Sequence, residues 1–450
     1  MVEDVSRPAA RSSIVRTSLL LLPMQIVFRG GEAVLPLLLA AWFGRSELTD
    51  VYYFAWAVFA FAGSLIFSLY HDSALIPVLA EVRLATPKEL PRVTGSLLAH
   101  TLAIGSALSL CIGAFALGWF RLRYDGPAFT LASRMIPPFC VFLVALSIKT
   151  FFVAILNSEH HFAAYPVASS IGVTVTIAII FTTKGALGML AVPIASLAGE
   201  LAANAVLSYI VFGMCRIRMS LSFARPEPVL RFARLIASDV GGQAVTRINP
   251  VVDQLMAGLA GVIGGGTLLR YTSDLSSLPT SLLQASLLPV LLSHLSDDFA
   301  AQEHAKIRHT VTRALWWVCG ILIVVSLALF LVRAPLLRLV FLRGGMDAEG
   351  VARMARLLPY HLVGLAPFGA LLVLARAHVA MKNTSIMIGM GVMNASLNLG
   401  FNVVLLRAIG LEGIALSTSG VHLVIAVVFW FLFESKLARS RRDAVGSPAT

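Results

Sequence analysis

Arg29 and Glu32 lie three residues apart in a stretch that is otherwise apolar, a spacing that puts both side chains on one face of a helix. A guanidinium held there is a fixed countercharge for an anion, with the carboxylate tuning or gating it. The plainer alternative is an intrahelical ion pair that neutralises itself. Asp239, Arg247, Asp253, Arg270 and Asp274 crowd a second region, where Pro250 frees local backbone carbonyls. Arg134 and Lys149 sit in a third apolar run, and Asp50 opens a fourth. Where such runs cross a bilayer, each charge costs a few kcal/mol and is a functional candidate by default. Arg29, Glu32, Asp50, Arg134, Lys149, Arg247, Arg270 and Asp274 are therefore the expected substrate-binding residues, and the cations among them suit an anionic substrate. His71, Asp72 and His361, close to Pro77 and Pro359, are candidate gating or proton-coupling groups; the alternative is that they are solvated helix ends.

The elements that must position these charges are membrane helices. Of 450 residues, 58% are hydrophobic and only 13% charged, and mean hydropathy is +0.85. Soluble domains average roughly 45–50% apolar and about 25% charged residues. Val93–Phe120 carries no Lys, Arg, Asp or Glu, and about 20 such residues suffice to cross the hydrocarbon core. The runs do not alternate as barrel strands do. Twelve spans are expected: 17–43, 50–70, 93–120, 129–156, 163–183, 186–213, 229–259, 266–295, 309–333, 351–378, 384–407 and 411–433. The polar tail 434–450 reads as disordered, and Gly261–Gly266 as a tight turn. Arg7, Arg11 and Arg16 precede the first run, but no A-x-A site follows, so it reads as a retained helix.

Other classes of function find little support. Cys111, Cys140, Cys215 and Cys319 lie in or beside apolar runs without CxxC spacing and read as core residues. The net charge of +12 fits loops facing anionic lipid rather than a nucleic-acid partner. There is no HExxH, GxSxG, Walker loop or carboxylate-rich metal signature. Neither an enzyme nor a metal site is expected.

Lys and Arg gather on the side holding Arg83, Arg92, Arg216, Arg218, Arg225, Lys382 and Arg439, which places both termini in the cytoplasm. The halves echo each other. "SALIPVLAEV" (Ser73–Val82) ends helix two as "ASLLPVLLSH" (Ala285–His294) ends helix eight, and "GALGMLAVPIAS" from Gly185 resembles "GLEGIALSTS" from Gly410. The expected organisation is an all-α membrane protein of two parallel six-helix repeats. Residues 1–213 and 230–433 form the bundles, 214–229 the basic linker and 434–450 the cytoplasmic tail. Transporters built this way bind substrate between the halves near mid-membrane.

Six segments carry a resemblance: "FGRSELTDVYYFAW" (Phe43–Trp56), "SALIPVLAEVR" (Ser73–Arg83), "ILNSEHHFA" (Ile155–Ala163), "LPTSLLQASLLPVLLSHLS" (Leu278–Ser296), "FLRGG" (Phe341–Gly345) and "GLEGIALSTS" (Gly410–Ser419). In this order they resemble the MurJ (MviN) branch of the multidrug/oligosaccharidyl-lipid/polysaccharide exporter superfamily. The resemblance implies an alternating-access flippase for an undecaprenyl-linked saccharide in the bacterial cytoplasmic membrane, monomeric and without a cofactor. It makes Arg29 a contact for the substrate diphosphate. It also places a cation site at Asp253, Asn398, Asn402 and Thr418, whose oxygen ligands suit Na⁺; a proton is the other candidate coupling ion, and interhelical hydrogen-bond glue is the plain alternative. Asn402 stands where a carboxylate can occur.

The departures are specific. A pair of helix-two arginines of the lipid II flippases aligns with Gly63 and Ser64, and a helix-eight arginine aligns with Asp274. A second helix-one arginine aligns with Leu35, and the family's extra C-terminal helix pair has no counterpart after helix twelve. These departures imply a cargo other than ordinary lipid II. Two rivals stay open: a cation-coupled exporter of cationic drugs, which would want acidic walls, and a membrane-embedded glycan ligase, which would want a large polar loop or a His/Asp pair.

Overall fold

The computed structural model describes residues 31, 34–67, 75, 78–79, 81–82, 86–159, 161, 163–301, 303–381, 383 and 386–446, and among them every regular element is helical. A short helix α1 (Val34–Phe43) precedes α2 (Glu47–Phe67), α3 (Leu90–Arg123), α4 (Gly126–Ser158), α5 (Ala164–Leu187) and α6 (Ala191–Ser208). A non-helical strap, residues 215–226, then leads to α7 (Glu227–Arg247), α8 (Asn249–Leu259), α9 (Gly265–Ala300), α10 (His304–Phe341), α11 (Ala348–Val363), α12 (Leu365–Ala380), α13 (Ile386–Ile409) and α14 (Leu411–Gly446).

Eight described stretches are long and apolar enough to cross a membrane, so the protein is multi-pass. The twelve expected spans differ from this number for local reasons. Ala164–Met214 counts as one apolar stretch but folds as α5 and α6 around a short turn at Gly188–Leu190. Expected helix seven breaks at Ile248 into α7 and α8, with Pro250 at the start of α8, where its missing N–H does no harm. Expected helix ten breaks at Gly364 into α11 and α12. α7, α8 and α9 are not among the eight, and α8 has only 11 residues. Only the end of the first expected span lies within the described residues.

Two expectations need correction. The tail is not irregular: α14 runs to Gly446, and Arg308 donates to Glu434 at 2.8 Å where the polar segment begins. Leu, Ala, Arg and Lys are good helix formers, so polarity alone does not stop the helix. The ninth expected span, 309–333, is the middle of a longer helix. α10 has 38 residues and is about 57 Å long at 1.5 Å per residue, well beyond a hydrocarbon core of about 30 Å.

The chain divides into two compact units: Met1–Trp42 with Val58–Gly241, and Phe43–Ala57 with Gly242–Thr450. The divisions fall inside α2 and α7 rather than at the 214–229 linker. In the first unit α4 packs on α3 and α6, and α6 packs along α5. The last pair is held by small residues: a Cβ on Gly199 would overlap Thr176 Oγ1 and the Gly172 carbonyl, so glycine lets the backbones touch. Thr176 Oγ1 also donates to the Ala195 carbonyl at 3.3 Å. The strap is pinned to α3, for Ser220 N donates to Pro91 O at 2.9 Å and Ser96 Oγ to the Ala224 carbonyl.

In the second unit α12 is central, packing on α9, α10 and α14, while α13 packs on α8 and α14. The start of α2 is clasped here. Gly44, at φ 61°, passes so close to the Gly345 carbonyl that no side chain fits. Arg45 reaches both carboxylate oxygens of Asp347 at 2.8 and 2.9 Å and Glu349 at 2.8 Å. The expected turn after α8 is present, with Gly261 and Gly264 at positive φ.

Candidate functional site

α8, α13 and α14 bring Asp253, Asn398, Asn402 and Thr418 together. Asn398 and Asn402 stand one turn apart on α13, so both amides face α8. They donate to Asp253 Oδ1 at 3.1 and 2.8 Å, and Thr418 Oγ1 donates to Oδ2 at 3.2 Å. Asn402 Nδ2 also lies 3.2 Å from Asn398 Oδ1. Both asparagines are fully buried. With the amides turned this way the group is a cradle for a carboxylate. One oxygen is left over, since Asn402 Oδ1 is buried and has no hydrogen-bond partner. A single carboxylate among neutral oxygens fits a monovalent hard ion better than a divalent one, and among the described residues no cluster of three His, Cys, Asp or Glu could hold a metal.

The expected substrate-binding residues are engaged differently from expectation. Lys149 on α4 is not a free countercharge: its Nζ lies 2.7 Å from Glu200 Oε2 on α6, with the two side chains 14% and 7% exposed. Arg270 is balanced within its own helix by Asp274 at 3.0 Å, the four-residue spacing bringing them onto one face of α9. Asp50 serves as a cap, its Oδ1 accepting from Thr267 N and Oγ1 at 2.8 Å in the first turn of α9; a carboxylate there meets unpaired amides and the positive end of the helix dipole. Arg134 is exposed on α4, and Arg247 is exposed at the end of α7. Arg29, Glu32, His71 and Asp72 lie outside the described residues. His361 is on α11, with a buried Nε2 lacking a partner.

Sequence reasoning missed Glu200 and Asn204. The signal was present, a lone carboxylate in the apolar run 186–213 with an asparagine one turn later, but neither residue belongs to a recognised motif.

The order of helices, the divided units and the Asp253 group can be set against known proteins. A family model described as lipid II flippase MurJ matches residues 39–445. The chain belongs to the MurJ family. It is 26% identical over 400 residues to the lipid II flippase MurJ of Burkholderia cenocepacia, covering 84% of this chain and 76% of the relative. It is 24% identical over 432 residues to the probable lipid II flippase MurJ of Vibrio cholerae, covering 90% and 80%. Among solved structures, a lipid II flippase MurJ in an inward closed conformation superposes with a TM-score of 0.76 at 17% identity, covering 95% of this chain and 91% of the other. An inward-facing MATE family multidrug transporter gives 0.78 at 14%, covering 93% and 96%. The fold is thus the one that these two transporters share.

Two MurJ-family departures acquire a physical setting. Gly63, which the resemblance sets against a family arginine, is buried on α2, and a Cβ there would lie 2.6 Å from Leu146 Cδ2 of α4. An arginine would have to displace that leucine. Asp274, which the resemblance sets against another, takes up the charge of Arg270.

Proposed function

We propose that the protein is an alternating-access flippase carrying a polyprenyl-linked saccharide, a cell-wall or polysaccharide precursor, across the bacterial cytoplasmic membrane. MurJ-family membership over residues 39–445 carries this reading, and relatives matched over most of the chain are named lipid II flippases. Carrying such a lipid makes and breaks no bond, so the residues needed are those that neutralise a diphosphate and solvate sugars. Arg29 is the countercharge for the diphosphate. Asp253, Asn398, Asn402 and Thr418 would hold the coupling cation, Na⁺ in preference to a proton, with the two amides turned so that their oxygens join the carboxylate. The protein works as a monomer with both termini in the cytoplasm.

The cargo is read more narrowly as a saccharide other than ordinary lipid II. Gly63 packs where a family arginine would stand, and Asp274 cancels a cation instead of adding one. Each missing cation weakens the hold on a buried phosphate. Expression at verified membrane levels in a bacterium depleted of its own lipid II flippase decides the point. Failure to restore growth, together with flipping of another polyprenyl-linked saccharide in proteoliposomes, is the expected result. Full rescue, with lipid II reaching the outer leaflet, overturns the narrower reading and leaves the flippase reading in place.

A further inference from the structure

The Lys149–Glu200 pair is only half satisfied. Glu200 holds the Lys149 ammonium with Oε2 at 2.7 Å, while Glu200 Oε1 and the Oδ1 of Asn204 have no hydrogen-bond partner and are shut off from solvent. Glu200 and Asn204 are 7% and 9% exposed. The Asn204 amide nitrogen gives no relief, because it donates to the Ala145 and Glu200 carbonyls at 2.9 and 3.0 Å. Nor do the neighbours. Among the described residues, α5 carries no charge except Lys184 at its end, which lies over the Trp42 ring. α6 carries none besides Glu200, and on α4 the other charge, Arg134, is exposed about four turns away. α3 offers His100, whose ring meets Phe223, and arginines near its two ends. Each open buried acceptor costs free energy that a purely stabilising ion pair would avoid, so the pair calls for a role beyond stability.

We propose that Glu200 is a positioning residue that sets the anion affinity of the transport site. It withholds Lys149 in the conformation seen here and yields it to the diphosphate of the cargo in the loading conformation. This inference rests on the flippase reading. The ammonium keeps its protons throughout and exchanges one oxygen partner for another. A diphosphate carries more charge than a carboxylate and competes well for an ammonium held by one carboxylate oxygen. When Lys149 returns to Glu200, the headgroup loses a ligand and leaves more readily. Glu200 therefore lowers affinity and raises turnover, since tight binding of the bound state alone does not speed a cycle.

The test uses the full chain in lipid nanodiscs, with farnesyl diphosphate as the probe for calorimetric binding. Flipping of a fluorescent polyprenyl-linked saccharide is followed in parallel in proteoliposomes. Glu200→Gln should bind the probe about tenfold or more tightly, the worth of one charge-assisted hydrogen bond released, with KM and kcat both lowered. Glu200→Asp should fall between it and the wild type. Adding Lys149→Met should abolish the gain, because the gain belongs to the ammonium. Structural damage does not raise affinity, so unchanged or weaker binding in folded Glu200 variants overturns the inference, as does a gain that survives Lys149→Met. Should both Glu200 variants fail to fold, Lys149→Met decides alone: weaker probe binding supports the inference and wild-type binding overturns it. A wild type that neither binds the probe nor flips a lipid-linked saccharide overturns the transport reading itself, a result distinct from all of these.

Discussion

At the scale of single residues, the Asp253 group was legible because its members match a family pattern, while its hydrogen bonding was not. A sequence names oxygen-bearing side chains but does not say which way an amide turns. Here both amides give their N–H groups to Asp253. Asp253→Ala should therefore strand buried donors as well as remove an ion ligand, costing about 3 kcal/mol of stability and abolishing transport. The check is the thermal unfolding midpoint in Na⁺ and in K⁺ buffers: the wild type should gain stability specifically in Na⁺ and the variant should not. Arg29→Ala should abolish transport at normal protein levels, with Arg29→Lys rescuing in part. Transport by Arg29→Ala at the wild-type rate would reduce Arg29 to the partner of Glu32.

At the scale of elements, hydropathy located the membrane runs and Pro250 pointed to the break at Ile248, while the break at Gly364 had no such signal. Helix lengths were not legible, because a helix leaving the bilayer can continue in water on propensity alone, as α14 does. The α5–α6 contact depends on the absence of one side chain. Gly199→Ala should overlap the Gly172 carbonyl and cost about 2 kcal/mol by overpacking, seen as a lower unfolding midpoint in detergent. The Arg45–Asp347 clasp lies outside the membrane runs and makes a pH prediction. The Arg45 guanidinium lowers the Asp347 carboxyl from 3.8 to about 2. A lowered carboxylate stabilises the fold above its unfolded value and stops doing so as pH falls through the folded one. Amide protection at Gly350, whose N–H donates to Asp347, should thus stay constant from pH 8 to about pH 4 and decline toward pH 2. A change near pH 6 would mean that another group controls the clasp.

At the scale of the whole molecule, paired motifs led to an expectation of two echoing halves, but the places where the chain divides were not legible. The units part within α2 and α7, because division follows packing, whereas composition changes most visibly at the basic strap. Reporter fusions after Thr450 should give a cytoplasmic signal; a periplasmic one would break the even helix count. The strap itself limits the mechanics of any rocking cycle. With Ala224 fastened to α3 and α7 beginning at Glu227, only Arg225 and Pro226 are left as slack, a reach of about 7 Å. A connection so short transmits displacement like a taut cable, and compliance has to come from the helix beyond it. Gly241 and Gly242 meet at the unit boundary inside α7, where two adjacent glycines make the rod easiest to bend. Stiffening that point with alanines should slow turnover without weakening cargo binding.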